Sequence, residues 1–361
     1  MTDRKVRLGI VGAGWWGTSN HIPILKEREK DIGDVELVGV CRLGKKELKM
    51  VQDRFDIKLG TEDYRDMFDW DLDGIIIATP HECHYEQAKA SLEHGLHVMC
   101  EKAMVLDERE AWELVHLAEE KKRHLLVPHG WHYFDFIEKA HDLMLQKKVG
   151  NVEYVMCHTA TPTRELFSGE DFQTLPAHSE VMFEVDKNSF SRLATGGGYS
   201  WGQLSHSISM MLFVTGLTPD EVFAYISTHG AKNEPVDMHD AATVRFKEGP
   251  IGVISGSSGV PPEVKFQVEV NTYGDEGMLL LDVERERMEL YRKDKDNLFF
   301  DIPKDGGIYD CEVPPHRFVE LIKGEDKPNN SSGRLEAKVV STLCAIHRSG
   351  KSGKPEKVLY Y

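Results

Sequence analysis

Three glycines, Gly12, Gly14 and Gly17, follow the apolar run 6–11 in the spacing G-x-G-x-x-G. The chemistry this suits is phosphate recognition. The first glycine permits a tight turn out of a strand, and the second lets the backbone approach a pyrophosphate. The third lets the next helix pack closely while its first N–H groups face the phosphates. Trp15 and Trp16 fill the variable positions and join the same candidate cofactor loop. A second group, Val127-Pro128-His129-Gly130-Trp131-His132-Tyr133, offers imidazoles that can hydrogen-bond a ligand's hydroxyls and aromatic rings that can stack on its face. A domain junction that only packs accounts for His129, Trp131, His132 and Tyr133 equally well, and Tyr199 and Trp201 carry the same two readings.

Two further clusters hold metal-ligand types: His81-Glu82-Cys83-His84 and His178-x-Glu180. Neither has a partner pair at the spacing of a zinc site, so no metal is expected. No cysteine has an adjacent base in sequence, which argues against a thiol nucleophile.

Positioning these residues requires a frame. Strands over 6–11, 35–41, 74–79, 97–100 and 125–127 alternate with helices over 18–30, 45–55, 84–94 and 108–122. Such alternation predicts a doubly wound parallel sheet with right-handed crossovers. Ligands sit at the carboxyl ends of strands in sheets of this kind, which places the glycine loop and the 127–133 run at one edge. Past about residue 130 the rhythm changes. A helix over 136–146 and an alternating strand over 152–161 lead into an irregular stretch, 162–198, that ends in Gly196-Gly197-Gly198. A helix over 205–215 precedes strands over 222–228, 241–246, 251–257, 266–273, 277–282 and 288–292. The expected architecture is α/β: a Rossmann dinucleotide-binding domain, 1–130, then an α+β substrate-binding and oligomerisation domain, 131–361, on a large, mostly antiparallel open sheet. The final helix, about 334–348, is expected to pack back near the first domain. The long stretch 162–195 has two readings, a lid over substrate or an arm reaching a neighbouring subunit.

The formal net charge of -16 argues against nucleic acid or an anionic membrane as a partner. Six scattered cysteines without a C-x-x-C pair suit reduced thiols. No apolar run reaches membrane-span length, so a cytoplasmic protein is expected. The second strand ends Val40-Cys41-Arg42-Leu43-Gly44 with no acid to grip a ribose 2′-hydroxyl. Arg42 could instead hold the 2′-phosphate of NADP. It could equally stack on adenine, which suits either coenzyme, so the reading is NAD(P) with a lean toward NADP.

Three more stretches point one way: Ala78-Thr79-Pro80-x-x-x-His84, Gly95-x-His97-Val98-x-Cys100-Glu101-Lys102, and the triple glycine followed by His206. With the glycine loop and the closing LEAKVVSTLCAIHRSG, the chain resembles the glucose–fructose oxidoreductase, inositol dehydrogenase and rhizopine-catabolism (Gfo/Idh/MocA) family. The resemblance implies a nicotinamide held in the cleft between the two domains. It also implies oxidation or reduction of a carbinol on a sugar or cyclitol, and homo-oligomers built through the outer sheet face. It brings Thr79, Pro80, His84, Glu101 and Lys102 into the cofactor site. Lys102 falls on the lysine of the family's Glu-Lys-Pro motif, with Ala103 in place of proline. His206 falls on the active-site histidine. Gln203 stands where the family usually has an aspartate, and Ser209 where it often has a second. Gln203 cannot take a proton, but its amide can orient a hydroxyl.

Hydride transfer needs a group to remove the hydroxyl proton. Histidine exchanges a proton near neutral pH, and a lysine cation polarises a carbonyl oxygen. His206 is therefore read as general acid/base and Lys102 as its electrostatic partner, although the reverse assignment also fits the residues. The function expected is an NAD(P)-dependent oxidoreductase acting on a secondary hydroxyl of a sugar, cyclitol or glycoside. The stretch GGGYSWGQLSH resembles the branch that oxidises at ring C3. One rival is a redox-assisted glycosidase or lyase on the same fold. Another is a non-catalytic nucleotide-binding sensor, against which the presence of both Lys102 and His206 counts.

Overall fold

The computed structural model describes residues 4–172, 178 and 180–361. Its first sheet is parallel, with six strands: β1 (Val6–Val11), β2 (Val35–Cys41), β3 (Leu59–Thr61), β4 (Gly74–Ile77), β5 (His97–Cys100) and β6 (Leu125–Leu126). Their order is β3-β2-β1-β4-β5-β6, so the chain changes direction across the sheet between β1 and β4. The isoleucines 75, 76 and 77 of β4 are fully buried, as helices on both faces require of a central parallel strand.

Helices α1 (Ile22–Asp31), α2 (Lys45–Phe55), α3 (His81–Glu93) and α4 (Glu108–Lys121) cover this sheet, joined by a later helix over Val313–Ile322. A π-turn over Gly17–His21 leads into α1, so the expected helix over 18–30 is α-helical only in its second part. Helix α3 starts three residues before the expected 84, because Pro80, with φ -59°, caps it and needs no N–H there. Asp107 caps α4 by accepting from the backbone N–H of Arg109 at 2.8 Å.

Helix α5 (Asp135–Leu145) and strand β7 (Val152–Ala160) open the second half. The long stretch contains two short helices, α6 (Arg164–Ser168) and α7 (Asn188–Ser191), which its polar composition hides. Residues 173–177 and 179 of that stretch lie outside the described residues. A π-turn over Ser200–Leu204 runs into α8 (Ser205–Thr215). Then come β8 (Pro219–Ser227), β9 (His239–Phe246), β10 (Ile251–Ser257), β11 (Gln267–Gly274), β12 (Gly277–Asp282), β13 (Arg287–Arg292) and β14 (Leu298–Phe299). Helices α9 (Val313–Ile322) and α10 (Gly333–Ser352) and strand β15 (Glu356–Lys357) complete the chain. The second sheet has the order β14-β13-β12-β11-β7-β10-β9-β8-β15. Its neighbours are antiparallel except β7 and β10, which run parallel at its centre. One face packs on α8 and α10, with α5 lying against α8, while the other leaves Tyr225, Ile251 and Tyr273 exposed.

Helix α10 touches both halves. Trp112 Nε1 of α4 donates to Ser341 Oγ at 3.0 Å, and Arg334 pairs with Glu119. On its other side the backbone N–H of Ala224 in β8 donates to Ser349 Oγ at 2.9 Å. No helix among the described residues is long and apolar enough to cross a membrane.

Candidate active site

A cavity of about 360 Å³ opens between the carboxyl edge of the first sheet and the second half of the chain. Gly14, Trp15, Trp16, Arg42, Thr79, Pro80, Glu101 and Lys102 line its first side, each from a loop that leaves β1, β2, β4 or β5. Gln203 and His206 close the opposite side with Trp131, Phe266, Glu284 and Tyr309. The parallel sheet therefore delivers its loops to one edge, and the helix α8 delivers the histidine to meet them.

The glycine loop fits a dinucleotide. Gly12 has φ +96°, and a Cβ there would lie 2.4 Å from the carbonyl carbon of Ala78. A Cβ on Gly17 would lie 2.7 Å from the carbonyl oxygen of Gly12, so strand, turn and helix pack in direct contact. Among the described residues only the Arg42 guanidinium comes within 4 Å of a Cβ placed on Gly14, at 3.6 Å, which leaves that backbone open to the cavity. Gly12 and Gly17 shape the loop, and Gly14 faces the ligand space.

Behind the loop, Glu101 Oε1 accepts from Trp16 Nε1 and pairs with His21 Nε2, both at 2.7 Å. Burial alone would raise this carboxyl, but His21, Lys102 and Trp16 outweigh it and hold it below the usual carboxylate range. His84 is fully buried, with Nδ1 3.0 Å from Ala103 O and Nε2 2.8 Å from Thr79 O. It therefore clamps the loop after β5 rather than facing the cavity, a correction to its expected cofactor contact. His81 does similar work from the cavity wall, with its ring nitrogens at Lys102 O and Gly196 O. The Lys102–Ala103 peptide is cis. No group of three or more His, Cys, Asp or Glu side chains among the described residues is arranged to hold a metal.

Lys102 Nζ donates to the carbonyl oxygen of Gly202 at 2.6 Å. Burial lowers its pKa, opposed by Glu101 and Glu336. His206 is pushed well below its ordinary value, first by burial, then by the charge of Lys102 and by His129 and His132. A neutral imidazole beside a lysine can take a proton from a hydroxyl while the ammonium stabilises the oxygen left behind.

Of the expected sugar contacts, Trp131 and Gln203 reach the cavity and the others lie behind it. Tyr199 is fully buried and donates its hydroxyl to Thr159 O at 3.0 Å. Tyr133 pairs with Ser331 Oγ, and His132 with Ser209 Oγ. Trp201 stacks on His347 with ring centroids 5.4 Å apart. His129 sits directly behind His206, Nδ1 to Nδ1 at 3.1 Å. Each of these polar side chains is buried, and a buried polar atom takes a protein partner where no ligand reaches it.

The long stretch crosses the chain's own cleft. His178 bonds Asn20 Oδ1 through its backbone N–H and Glu27 through its ring, and Glu180 pairs with Arg54. Phe183, Glu184, Val185 and Asp186 then line the cavity, with the Phe183 ring 3.8 Å from the Arg42 guanidinium carbon. Arg42 Nη1 donates to Ala13 O at 2.9 Å, while its Nε is buried without a partner among the described residues. Sequence reasoning missed Phe183, Phe266, Glu284 and Tyr309. Their only signal is position, since each lies in a loop or strand edge with no motif of its own.

Comparison with known proteins agrees with this geometry. A family model described as "Oxidoreductase family, NAD-binding Rossmann fold" matches residues 6–129, and the "GFO/IDH/MocA C-terminal domain" model matches 137–280. Glucose-6-phosphate 3-dehydrogenase of Bacillus subtilis is 24% identical over 272 residues, 73% of this chain and 71% of that protein. D-xylose 1-dehydrogenase [NADP(+)] of Haloarcula marismortui is 25% identical over 175 residues, and the match spans only about half of each protein, 47%. The WlbA dehydrogenase of Chromobacterium violaceum, solved with NADH and UDP-GlcNAcA, shares the fold. Its TM-score is 0.79 at 23% identity, covering 100% of this chain and 98% of that one. With one model on the parallel sheet and the other on the open sheet, the chain belongs to the Gfo/Idh/MocA family of NAD-binding oxidoreductases.

Proposed function

We propose that the enzyme oxidises a secondary hydroxyl of an uncharged sugar, cyclitol or glycoside at ring C3, and reduces the corresponding ketone. The observation that carries this reading is the convergence of the glycine loop, Lys102 and His206 on one cavity. A bound nicotinamide nucleotide supplies the hydride acceptor there. His206, kept neutral by burial and by Lys102, takes the hydroxyl proton. Lys102 stabilises the oxygen as it becomes a carbonyl. Gln203 offers an amide that orients a neighbouring hydroxyl, and the buried Trp131 ring edges the sugar's space. A glucose phosphate 3-dehydrogenase among the relatives supports C3 as the position.

NADP is the favoured coenzyme. Arg42 stands at the tip of β2 where a ribose-gripping acid is absent, and it lines the cavity, where its guanidinium can meet a 2′-phosphate. The division of the chain near residue 130 sets the coenzyme on one side of the cleft and the sugar on the other. Self-association runs through the open sheet face that carries Tyr225, Ile251 and Tyr273. The deciding experiment is a coupled screen of hexoses, inositols and glycosides, run separately with NAD and NADP. Reduction of coenzyme by a free polyol supports the reading. Release of phenol from an aryl glycoside with no net coenzyme reduction would instead mark a redox-assisted glycosidase.

A further inference from the structure

A line of three titratable side chains leads away from the cavity. His206 Nδ1 is 3.1 Å from His129 Nδ1, and His129 Nε2 is 2.8 Å from Glu336 Oε2. His206 comes from the first turn of α8, His129 from the segment after β6 and Glu336 from the first turn of α10. Only His206 lines the cavity, while His129 and Glu336 are each 1% exposed. His206 Nε2 has no partner among the described residues, and Glu336 Oε1 is buried without one. His129 is thus the single hydrogen-bond donor that the Glu336 carboxyl meets among the described residues.

We propose that Glu336, His129 and His206 form a proton wire, in which Glu336 and His129 position His206 as the base and carry the reacting proton inward. The proposal rests on the oxidoreductase reading above. An ionised carboxylate only accepts hydrogen bonds, so His129 carries its proton on Nε2. A neutral ring then presents a lone pair at Nδ1, and two lone pairs cannot face each other at 3.1 Å. His206 must therefore be protonated at Nδ1. Its Nε2, the atom left toward the cavity, is a lone pair ready to accept. Without the carboxylate, either polarity satisfies the contact between the two rings, and one of them turns an N–H toward the substrate.

The same line moves a proton. As the substrate O–H bond breaks, its proton joins His206 Nε2, while the C–H electron pair leaves as hydride to the oxidised nicotinamide nucleotide. The Nδ1 proton of His206 passes to His129 Nδ1, and the Nε2 proton of His129 passes to Glu336 Oε2. Both rings finish neutral with their protons on the opposite nitrogens, and Glu336 finishes as the acid. A buried imidazolium beside the Lys102 ammonium is thereby avoided, since burying an extra charge next to a like one is costly. Reduction of the ketone runs the wire in reverse. The other groups facing this line are Lys102 and Glu101 from the loop after β5, Cys100 at the end of β5, His132 beside His129, and Tyr309 against His206.

Nitrogen-15 NMR of histidine-labelled full-length protein tests the wiring without turnover, the His206 signals being assigned by their loss in His206→Gln. The expected spectrum near neutral pH has His206 protonated at Nδ1 only. Protonation at Nε2 overturns the proposal. In kinetics, Glu336→Gln is expected to lower kcat about 10- to 100-fold with KM and coenzyme affinity within about twofold, and to alter the pH profile of kcat/KM. Glu336→Asp should recover part of the loss. A folded Glu336→Gln enzyme with the wild-type kcat and pH profile overturns the wire alone. If Glu336→Gln does not fold, the wild-type spectrum still decides. A wild-type enzyme that oxidises no polyol with either coenzyme removes the reaction itself, and the proton carriage with it.

Discussion

The Lys102 ammonium donates to the carbonyl oxygen of Gly202 at 2.6 Å, four residues before His206 in the chain. This bond ties the loop leaving β5 to the π-turn that presents Gln203 and His206, so the two proposed reacting groups are set relative to each other by the backbone. Lys102→Ala removes both the tie and the charge at the reacting oxygen. Steady-state kinetics should show kcat/KM lower by about 10²- to 10³-fold, with coenzyme still bound. Lys102→Arg should not restore it, because the broad guanidinium fork cannot replace a compact ammonium.

Arg42 lies between Ala13 O and the Phe183 ring. If its guanidinium holds a 2′-phosphate, Arg42→Ala should weaken NADP by about tenfold or more, the worth of a charge-assisted hydrogen bond. NAD affinity should move by about threefold or less. Titration calorimetry with both coenzymes measures this, and a wild-type preference for NAD of about tenfold would refute the role given to Arg42.

Gly12 has φ +96° and no space for a Cβ against Ala78. Gly12→Ala should destabilise the first half of the chain by about 2–4 kcal/mol and abolish coenzyme binding. Denaturant melts together with coenzyme titration separate it from Gly216→Ala, where φ is +70° but a Cβ would meet nothing among the described residues within 4 Å. That variant should lose stability while binding coenzyme as before.

Glu284 lines the cavity, and burial raises its carboxyl pKa to about 7 while the N–H of Tyr309 opposes the rise. The folded chain thus holds this proton more tightly than the unfolded chain does. Stability from this group is full below about pH 4.5 and falls as pH climbs through about 7, by about 3 kcal/mol at most. Glu284→Gln keeps an acceptor for Tyr309 and should flatten that slope. Thermal melts of both proteins between pH 5 and pH 8 are the check: the variant should be the more stable at pH 8.

The frame of the molecule is legible in its sequence wherever one residue pattern has one structural meaning. The Gly74-Ile-Ile-Ile run can hardly be other than a strand covered on both faces, and the glycine spacing has a mechanical purpose. Helix α9 is hidden because Val313-Pro-Pro-His316 reads as a loop, although prolines are well tolerated in a first helical turn. The edge strands β3, β14 and β15 are two or three residues long and too short to show alternation. The site is less legible than the frame. His206 and Lys102 stand out by motif, but Glu336 sits in an ordinary amphipathic repeat, and its partner is 207 residues away. Tyr199 and Tyr133 show the converse: aromatic rings with hydroxyls suit a sugar or a core equally, and only the course of the backbone decides.

Helix α10 is bonded to α4 through Trp112 and Ser341 and to β8 through Ser349, and Glu336 stands in its first turn. A nascent chain that has emerged from the ribosome as far as β13 holds all the cleft-lining residues except Ile308 and Tyr309, yet lacks the bolt that joins the halves and the carboxylate behind the histidines. The helix that bonds to both halves, and with it the carboxylate behind His129, is therefore among the last parts of the site to be synthesised.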